Sequence, residues 1–203
     1  MLHPGGVRLQ LRRKDCVSSI ALVDAFNAVW IAGWKQKEHP MLYNALHIGD
    51  QVLKIMGQFV QNAADAQKLI RSKHGIYVEF VIKRVPRGQV FAMCREHQGQ
   101  SLGIVQENTA EIKDIVPNSL AHQQLKGITL RTPSMDGLGL TTWWITEING
   151  RPLNLFFKDS EVKDRLNCVG LDISLLIQPF DLIKQIRKQM KSSIRGYKDY
   201  IVQ

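Results

Sequence analysis

The sequence predicts an α+β, mainly β fold made of two small units of one kind, followed by a basic helical tail. Three observations lead to that reading. A strand–turn–helix–strand pattern occurs twice, each copy fits a domain of roughly 85–100 residues, and 203 residues with 44% hydrophobic content can supply two such cores.

In the first copy, Gln51–Gly57 alternates apolar residues and ends on a turn glycine. Ala63–Lys73 then places Ala66, Leu69 and Ile70 on one helical face, Gly75 suits a helix stop, and β-prone Ile76–Ile82 runs towards Pro86. In the second copy, Trp144–Gly150 closes on Asn149-Gly150, a strong hairpin-turn pair. Asp159–Cys168 sets Val162, Leu166 and Val169 on one face, Gly170 ends the helix, and Leu171–Ile177 leads to Pro179. The expected division is therefore 7–86, 87–178 and a tail over 179–203, with Arg84–Gly88 as a short connector. Ser19 aligns with Gly103 at an offset of 84, but Gly57 aligns with Gly150 at 93. The extra residues of the second copy are assigned to a Gly-, Pro-, Ser- and Thr-rich loop at about 126–140, whose Gly137-Leu-Gly-Leu140 stands on the wrong side of the strand order to form a site.

Composition narrows the function classes. The longest apolar runs, such as Ile76–Ile82 and Ile173–Ile177, are far short of the ~20 residues that span a bilayer. Met1–Gly6 has no apolar segment behind it, so no signal peptide is expected. Cys16, Cys94 and Cys168 are odd in number and widely spaced, which argues against a disulfide framework or zinc site and for a reducing, cytosolic home. The six histidines are scattered, and no nucleophile-elbow, P-loop or dinucleotide-binding pattern is present. Neither an enzyme, a cofactor nor a metal is expected. Trp143 and Trp144 are adjacent on one strand and read first as sheet packing, with one of them expected to point outward; service at the interface between the units is the lesser reading.

The net charge of +9 is unevenly spread. Residues 1–90 carry 13 Lys/Arg against 6 Asp/Glu, residues 91–177 carry 8 against 10, and residues 178–203 carry 6 against 2. That distribution suits an anionic partner or, equally, a solvated basic surface. In the tail, Leu182, Ile183, Ile186 and Met190 form an apolar stripe, with Lys184, Arg187, Lys188 and Lys191 facing away. Such a helix docks on the protein or lies on an anionic membrane. Nucleic acid is not expected, because no aromatic-lined groove accompanies the charge.

Ser101-Leu102-Gly103-Ile104 follows a polar turn, His97–Gln100, and leads into an apolar strand. An apolar–Gly–apolar loop of this kind makes a backbone nest whose N–H groups can hold a terminal carboxylate, with glycine where the backbone must approach closely. With the hairpin strand, helix and last strand that follow it, this segment resembles a PDZ domain. Ile48–Lys54, Glu147–Gly150, Lys158–Ser160 and Ile177–Pro179, continuing into Phe180–Met190, extend the resemblance from about Val7 over nearly the whole chain, to tandem PDZ scaffolds of the syndecan-binding family.

The resemblance implies two partly open antiparallel β-barrels, each with one to two helices. It also implies a non-catalytic scaffold or adaptor at the cytoplasmic periphery of the plasma or endosomal membrane. Its partners would be C-terminal tails of transmembrane receptors or adhesion proteins, with phosphoinositide contact; a homodimer is left open. Each peptide would add as a strand between the second strand and the last helix. In the second unit, Ser101, Leu102, Gly103 and Ile104 would form the carboxylate loop, with Asp159, Lys163 and Leu166 on the facing helix. Leu166 and Ile104 also read as core. The first unit departs from the pattern: Ser18 and Ser19 replace the apolar residue and glycine before Ile20, and Ala63, Gln67 and Ile70 occupy the helix face. Its groove is expected to be weak or closed. The alternative is a lipid-binding module whose peptide grooves are vestigial.

Overall fold

The computed structural model describes residues 5–72, 74–125 and 128–203. Lys73, Lys126 and Gly127 lie outside the described residues, and with them one end of the expected first helix and of the 126–140 loop.

The first unit starts with β1 (Val7–Arg12), a single helical turn α1 (Arg13–Cys16), β2 (Ile20–Ala25) and β3 (Ala28–Trp34). A 3-10 turn at Pro40–Asn44 leads to β4 (Gln51–Ile55), β5 (Gln58–Phe59), α2 (Ala63–Arg71) and β6 (Tyr77–Lys83). Asn62 caps α2 by accepting the Asp65 N–H at 2.8 Å, satisfying one of the amides that every helix start leaves unpaired. The strands form one antiparallel sheet in the order β1-β6-β4-β3-β2, with β5 beside β4. Ile20, Leu22, Trp30, Ile31, Ile55, Phe80 and Ile82 fill its core.

The second unit has β7 (Gln89–Cys94), β8 (Ile104–Gln106), β9 (Glu111–Ile115) and the short helix α3 (Leu120–Gln124). After these come β10 (Thr132–Pro133), β11 (Leu140–Thr141), β12 (Trp143–Ile148), β13 (Arg151–Pro152), α4 (Asp159–Cys168) and β14 (Asp172–Pro179). Its sheet order, β7-β14-β12-β9-β8 with β13 beside β12, repeats that of the first unit strand for strand. Even an irregularity recurs: the register of β4 on β6 shifts between Val52 and Lys54, and that of β12 on β14 between Ile145 and Glu147. Both sheets are open and antiparallel, each faced by its own helix. The loop assigned to the extra residues folds, in its described part, as a two-stranded hairpin of β10 and β11.

Helix α5 (Phe180–Ser193) begins directly after Pro179, and a 3-10 turn follows at Tyr197–Tyr200. Lys184–Val202 groups compactly with the first unit, while Arg87–Ile183 forms the second. Leu182, Ile183, Ile186 and Met190 are all buried, so the apolar stripe of α5 is docked on protein. Tyr200 Oη donates to the Ser18 carbonyl at 2.9 Å, and the Tyr200 carbonyl oxygen lies only 2.1 Å from where a Cβ on Gly33 would stand. Glycine at 33 is thus what admits the tail.

Two expectations fail here. Neither Trp143 nor Trp144 points outward: they are 3% and 1% exposed. Trp144 stacks on Phe180 with centroids 5.8 Å apart, and Trp143 Nε1 donates to the Thr129 carbonyl at 2.8 Å. Alternation would expose one of the pair only if one sheet face met solvent, and both rings are instead packed within the unit, against Phe180 and the Thr129 carbonyl. Arg187 does not share the exposed face of Lys184, Lys188 and Lys191: it is half-buried, and desolvation pulls its pKa below the usual arginine value.

Candidate functional site

In the second unit, β8 and α4 flank a cavity of about 270 Å³. Six of the seven residues expected for a peptide groove line it: Ser101, Leu102, Gly103, Ile104, Lys163 and Leu166. Asp159 does not; its Oδ1 accepts the Ser160 N–H at 2.9 Å in the first turn of α4. An aspartate at that position completes the helix start, where negative charge is favoured, instead of facing a ligand.

The loop geometry explains its sequence. Gly103 has φ +77°, and a Cβ on it would meet Ser119 Cβ at 2.1 Å. Ser119 is itself fixed, as the residue whose Oγ caps α3 by accepting the His122 N–H at 3.2 Å. The Leu102 carbonyl accepts from Ala121 N–H at 2.9 Å and the Gly103 carbonyl from Val116 N–H at 2.8 Å. With both carbonyls tied down, the Leu102 and Gly103 N–H groups have no hydrogen-bond acceptor among the described residues.

Below this loop lies Arg95, 2% exposed and without a carboxylate partner among the described residues. Its guanidinium donates to the carbonyls of Gln100 (2.9 Å), Leu166 (3.0 Å) and Val169 (3.3 Å), joining the loop to the last turn of α4. A buried cation ringed by carbonyl oxygens leaves positive potential beneath the loop. Lys163 adds an exposed cation on the helix side. Sequence reasoning missed Arg95, although the repeat carries its signal. Arg13 likewise follows the first strand of its unit and donates to Ile70 O (2.6 Å) and Gly75 O (3.0 Å) at the end of α2.

The corresponding place in the first unit is arranged differently. The turn α1 draws the Ser19 N–H back onto the Cys16 carbonyl at 3.2 Å, and Ser19 itself is buried. Ser18, not Ser19, carries the left-handed backbone, at φ +55°. Gln67 Nε2 donates to the Ile20 carbonyl at 2.9 Å, and the Ala63 N–H donates to Asp24 Oδ1 at 2.8 Å, so α2 is bonded directly to β2. Ile70 is fully buried. A strand entering between α2 and β2 would have to displace both bonds.

Cys16 is buried, Cys94 and Cys168 are exposed, and all three are free thiols. Among the described residues no group of three or more His, Cys, Asp or Glu is arranged to hold a metal ion, and no helix is long and apolar enough to cross a membrane. Asp50 is fully buried, with its carboxylate held by Arg84 Nη1 at 2.7 Å, His47 N–H at 2.8 Å and Val85 N–H at 2.9 Å. Burial raises its pKa, against the pull of Arg84 and the two amides.

No family model matches the chain. Human syntenin-1 is 29% identical over 161 residues, covering 78% of this chain and 49% of its own length. Syntenin-1 of Mus musculus is 27% identical over 161 residues, covering 78% and 48%. The chain therefore spans about half the length of the curated relatives it matches. Among solved structures, INAD PDZ45 in complex with an NG2 peptide aligns at TM-score 0.35 with 14% identity, over 88% of this chain and 93% of that one. INAD PDZ45 with the NORPA CC-PBM aligns at 0.36 with 13% identity, over 88% and 94%. The chain thus repeats one strand order in its two units and is similar to syntenin-1 across 78% of its sequence.

Proposed function

We propose that this protein is a non-catalytic scaffold that binds the C-terminal tails of membrane proteins, mainly through the cavity between β8 and α4. The observation that carries the reading is the pair of unpaired N–H groups at Leu102 and Gly103, set above buried Arg95 at the mouth of a 270 Å³ cavity. A terminal carboxylate supplies the acceptors those amides lack, and its preceding residues extend along β8 by strand addition. Leu166, Leu102 and Ile104 offer the apolar wall for the last side chain. The first groove serves as structure, a reading supported by the Gln67–Ile20 and Ala63–Asp24 bonds across it.

The exposed lysines of α5, Lys184, Lys188 and Lys191, favour a secondary contact with an anionic, phosphoinositide-containing membrane. That contact would hold the protein at the cytoplasmic periphery of the plasma or endosomal membrane. Calorimetric titration of the full chain with peptides bearing either a free or an amidated C-terminus tests the peptide reading. Binding of the free form alone is expected; equal binding of both forms contradicts it. Co-sedimentation with phosphoinositide vesicles, repeated after charge reversal at Lys184, Lys188 and Lys191, tests the membrane contact. If the lipid-binding module were the better description, lipid binding would persist while no peptide bound.

A further inference from the structure

β7 lies at the end of its sheet and pairs only with β14, so its other edge is open. Cys94 N–H donates to Gln124 Oε1 at 2.7 Å and the Cys94 carbonyl accepts from Gln124 Nε2 at 2.9 Å, so the main chain of Cys94 faces away from β14. Arg95 N–H points the other way, to the Leu171 carbonyl at 2.8 Å. Main-chain groups alternate along a strand, and the register on β14 runs unbroken from Gln89 to Cys94, so Val90 and Ala92 also face outward. Gln124 is the neighbour of Cys94 alone. The N–H and C=O groups of Val90 and Ala92 have no partner among the described residues.

Open edges are commonly guarded by charge, proline or a bulge. This one is not: residues 88–94 carry no charge and no proline, in a chain of net charge +9, and Val90 is 69% exposed. The open edge of the first sheet, β1, carries Arg8 and Arg12. We infer that β7 is an interaction surface for a second copy of this chain, the two strands pairing antiparallel about a two-fold axis at Phe91.

Self-complementarity selects that occupant and that register. With Phe91 opposite its own copy, Val90 stands opposite Ala92 of the second chain, and Ala92 opposite Val90. Outward-facing residues so opposed exchange N–H···O bonds in both directions, which uses every open donor and acceptor of the edge. Pairing stops at Cys94, where Gln124 already holds the main chain. Shape agrees with the register. Opposed residues project to the same side, so the exposed side chain of Val90 comes against the small one of Ala92. Beside Ala92 lies a trough of about 600 Å³, lined also by Cys94, Gln124, Asn149, Asp172 and Ser174, which gives the branched side chain room. The two-fold repeats the fit, and no charged residue meets another across residues 88–94. β7 and β8 are opposite ends of the sheet, so the inference does not rest on the peptide reading. Pairing would double the cavities that each particle offers to tails crowded in one membrane.

Sedimentation equilibrium of the full chain tests the inference. The wild-type protein is expected to pass from monomer to dimer between roughly 10 µM and 1 mM, the range of a small transient interface. Val90→Lys brings two lysines close across the axis, and Ala92→Glu two carboxylates, so each variant alone should dimerise at least about ten-fold more weakly. Mixed in equal amounts they should associate again, because the lysine of one then faces the carboxylate of the other. Both positions are exposed, and melting curves verify that each variant is folded. In the wild-type protein, hydrogen exchange at Val90 and Ala92 should slow by roughly ten-fold from dilute to concentrated samples. Cys94, already bonded to Gln124, should not change. A wild-type protein that stays monomeric overturns the inference and leaves the open edge to a segment of another protein. A dimer that both variants leave intact, a mixture that stays monomeric, or protection that rises at β1 in place of β7 also overturns it.

Discussion

Gln67 Nε2 on α2 donates to the main-chain carbonyl of Ile20 on β2 at 2.9 Å, closing in the first unit the gap that in the second is a cavity. The two units share one strand order, and a few side chains at equivalent places decide which gap stays open.

Removing that bond should not by itself make the first groove a binding site. Gln67→Ala loses one part-buried hydrogen bond, worth about 1 kcal/mol, and urea unfolding should register that loss. The Ser19 N–H remains bonded to Cys16, so no carboxylate nest appears. NMR titration of the variant with C-terminal peptides should leave the Ser19 and Ile20 amides unmoved; shifts there would show that Gln67 alone was the barrier.

Gly103→Ala should disable the second groove. Its φ of +77° and the 2.1 Å approach to Ser119 Cβ combine backbone strain with a clash, together costing roughly 1–3 kcal/mol. Peptide affinity should fall by at least about ten-fold as the loop shifts. Adding Ser119→Gly relieves the clash but not the backbone strain, so the double variant should recover part of the stability. Full recovery, or none, would mean that only one of the two effects operates.

Gly33→Val should release the tail. The new side chain would occupy the space of the Tyr200 carbonyl, and overpacking of this kind typically costs roughly 1–3 kcal/mol. Hydrogen exchange at residues 197–202 should rise while the amides of β4 and β6 stay protected. Unchanged exchange at the tail would contradict the docking of Tyr200 over Gly33.

The Cys16 thiol is pushed up to about 12, first by burial and then by neighbouring Asp15, from an ordinary value of 9.0. A thiol harder to ionise folded than unfolded contributes stability that is whole below pH 9 and lost as pH rises towards 12. The full loss is about 4 kcal/mol, because each tenfold change in acidity between the two states is worth about 1.4 kcal/mol. Unfolding measured from pH 8 to 11 should show a falling slope that Cys16→Ala lacks. At pH 8, Ellman's reagent should modify Cys94 and Cys168 in the native protein and reach Cys16 only in denaturant; rapid labelling of three thiols would contradict its burial.

Much of the fold was legible because it was local. The hairpin of Asn149-Gly150, the apolar stripes of α2 and α4 and the repeated strand spacing lie in short windows. The requirement for glycine at 103 was legible for the same reason, since it shows in the residue itself. Long-range chemistry was not. Arg95 acts on carbonyls 71 and 74 residues away, which only the matching place of Arg13 could have suggested. Asp159 and Arg187 were misplaced because helical spacing gives a face, not what covers it. Gln106 reads as an ordinary strand residue, yet its amide is buried without a hydrogen-bond partner among the described residues.

Peptide recognition is proposed to belong to the second groove and to depend on a free carboxylate. Amide chemical shifts of the full chain, followed during titration with one C-terminal peptide in free and amidated forms, test it most directly. The free peptide is expected to move Leu102, Gly103 and Ile104 and to leave Ser18, Ser19 and Ile20 in place, and the amidated peptide to move neither set. Shifts centred on Ser19 and Ile20, or equal shifts from both peptides, would contradict it.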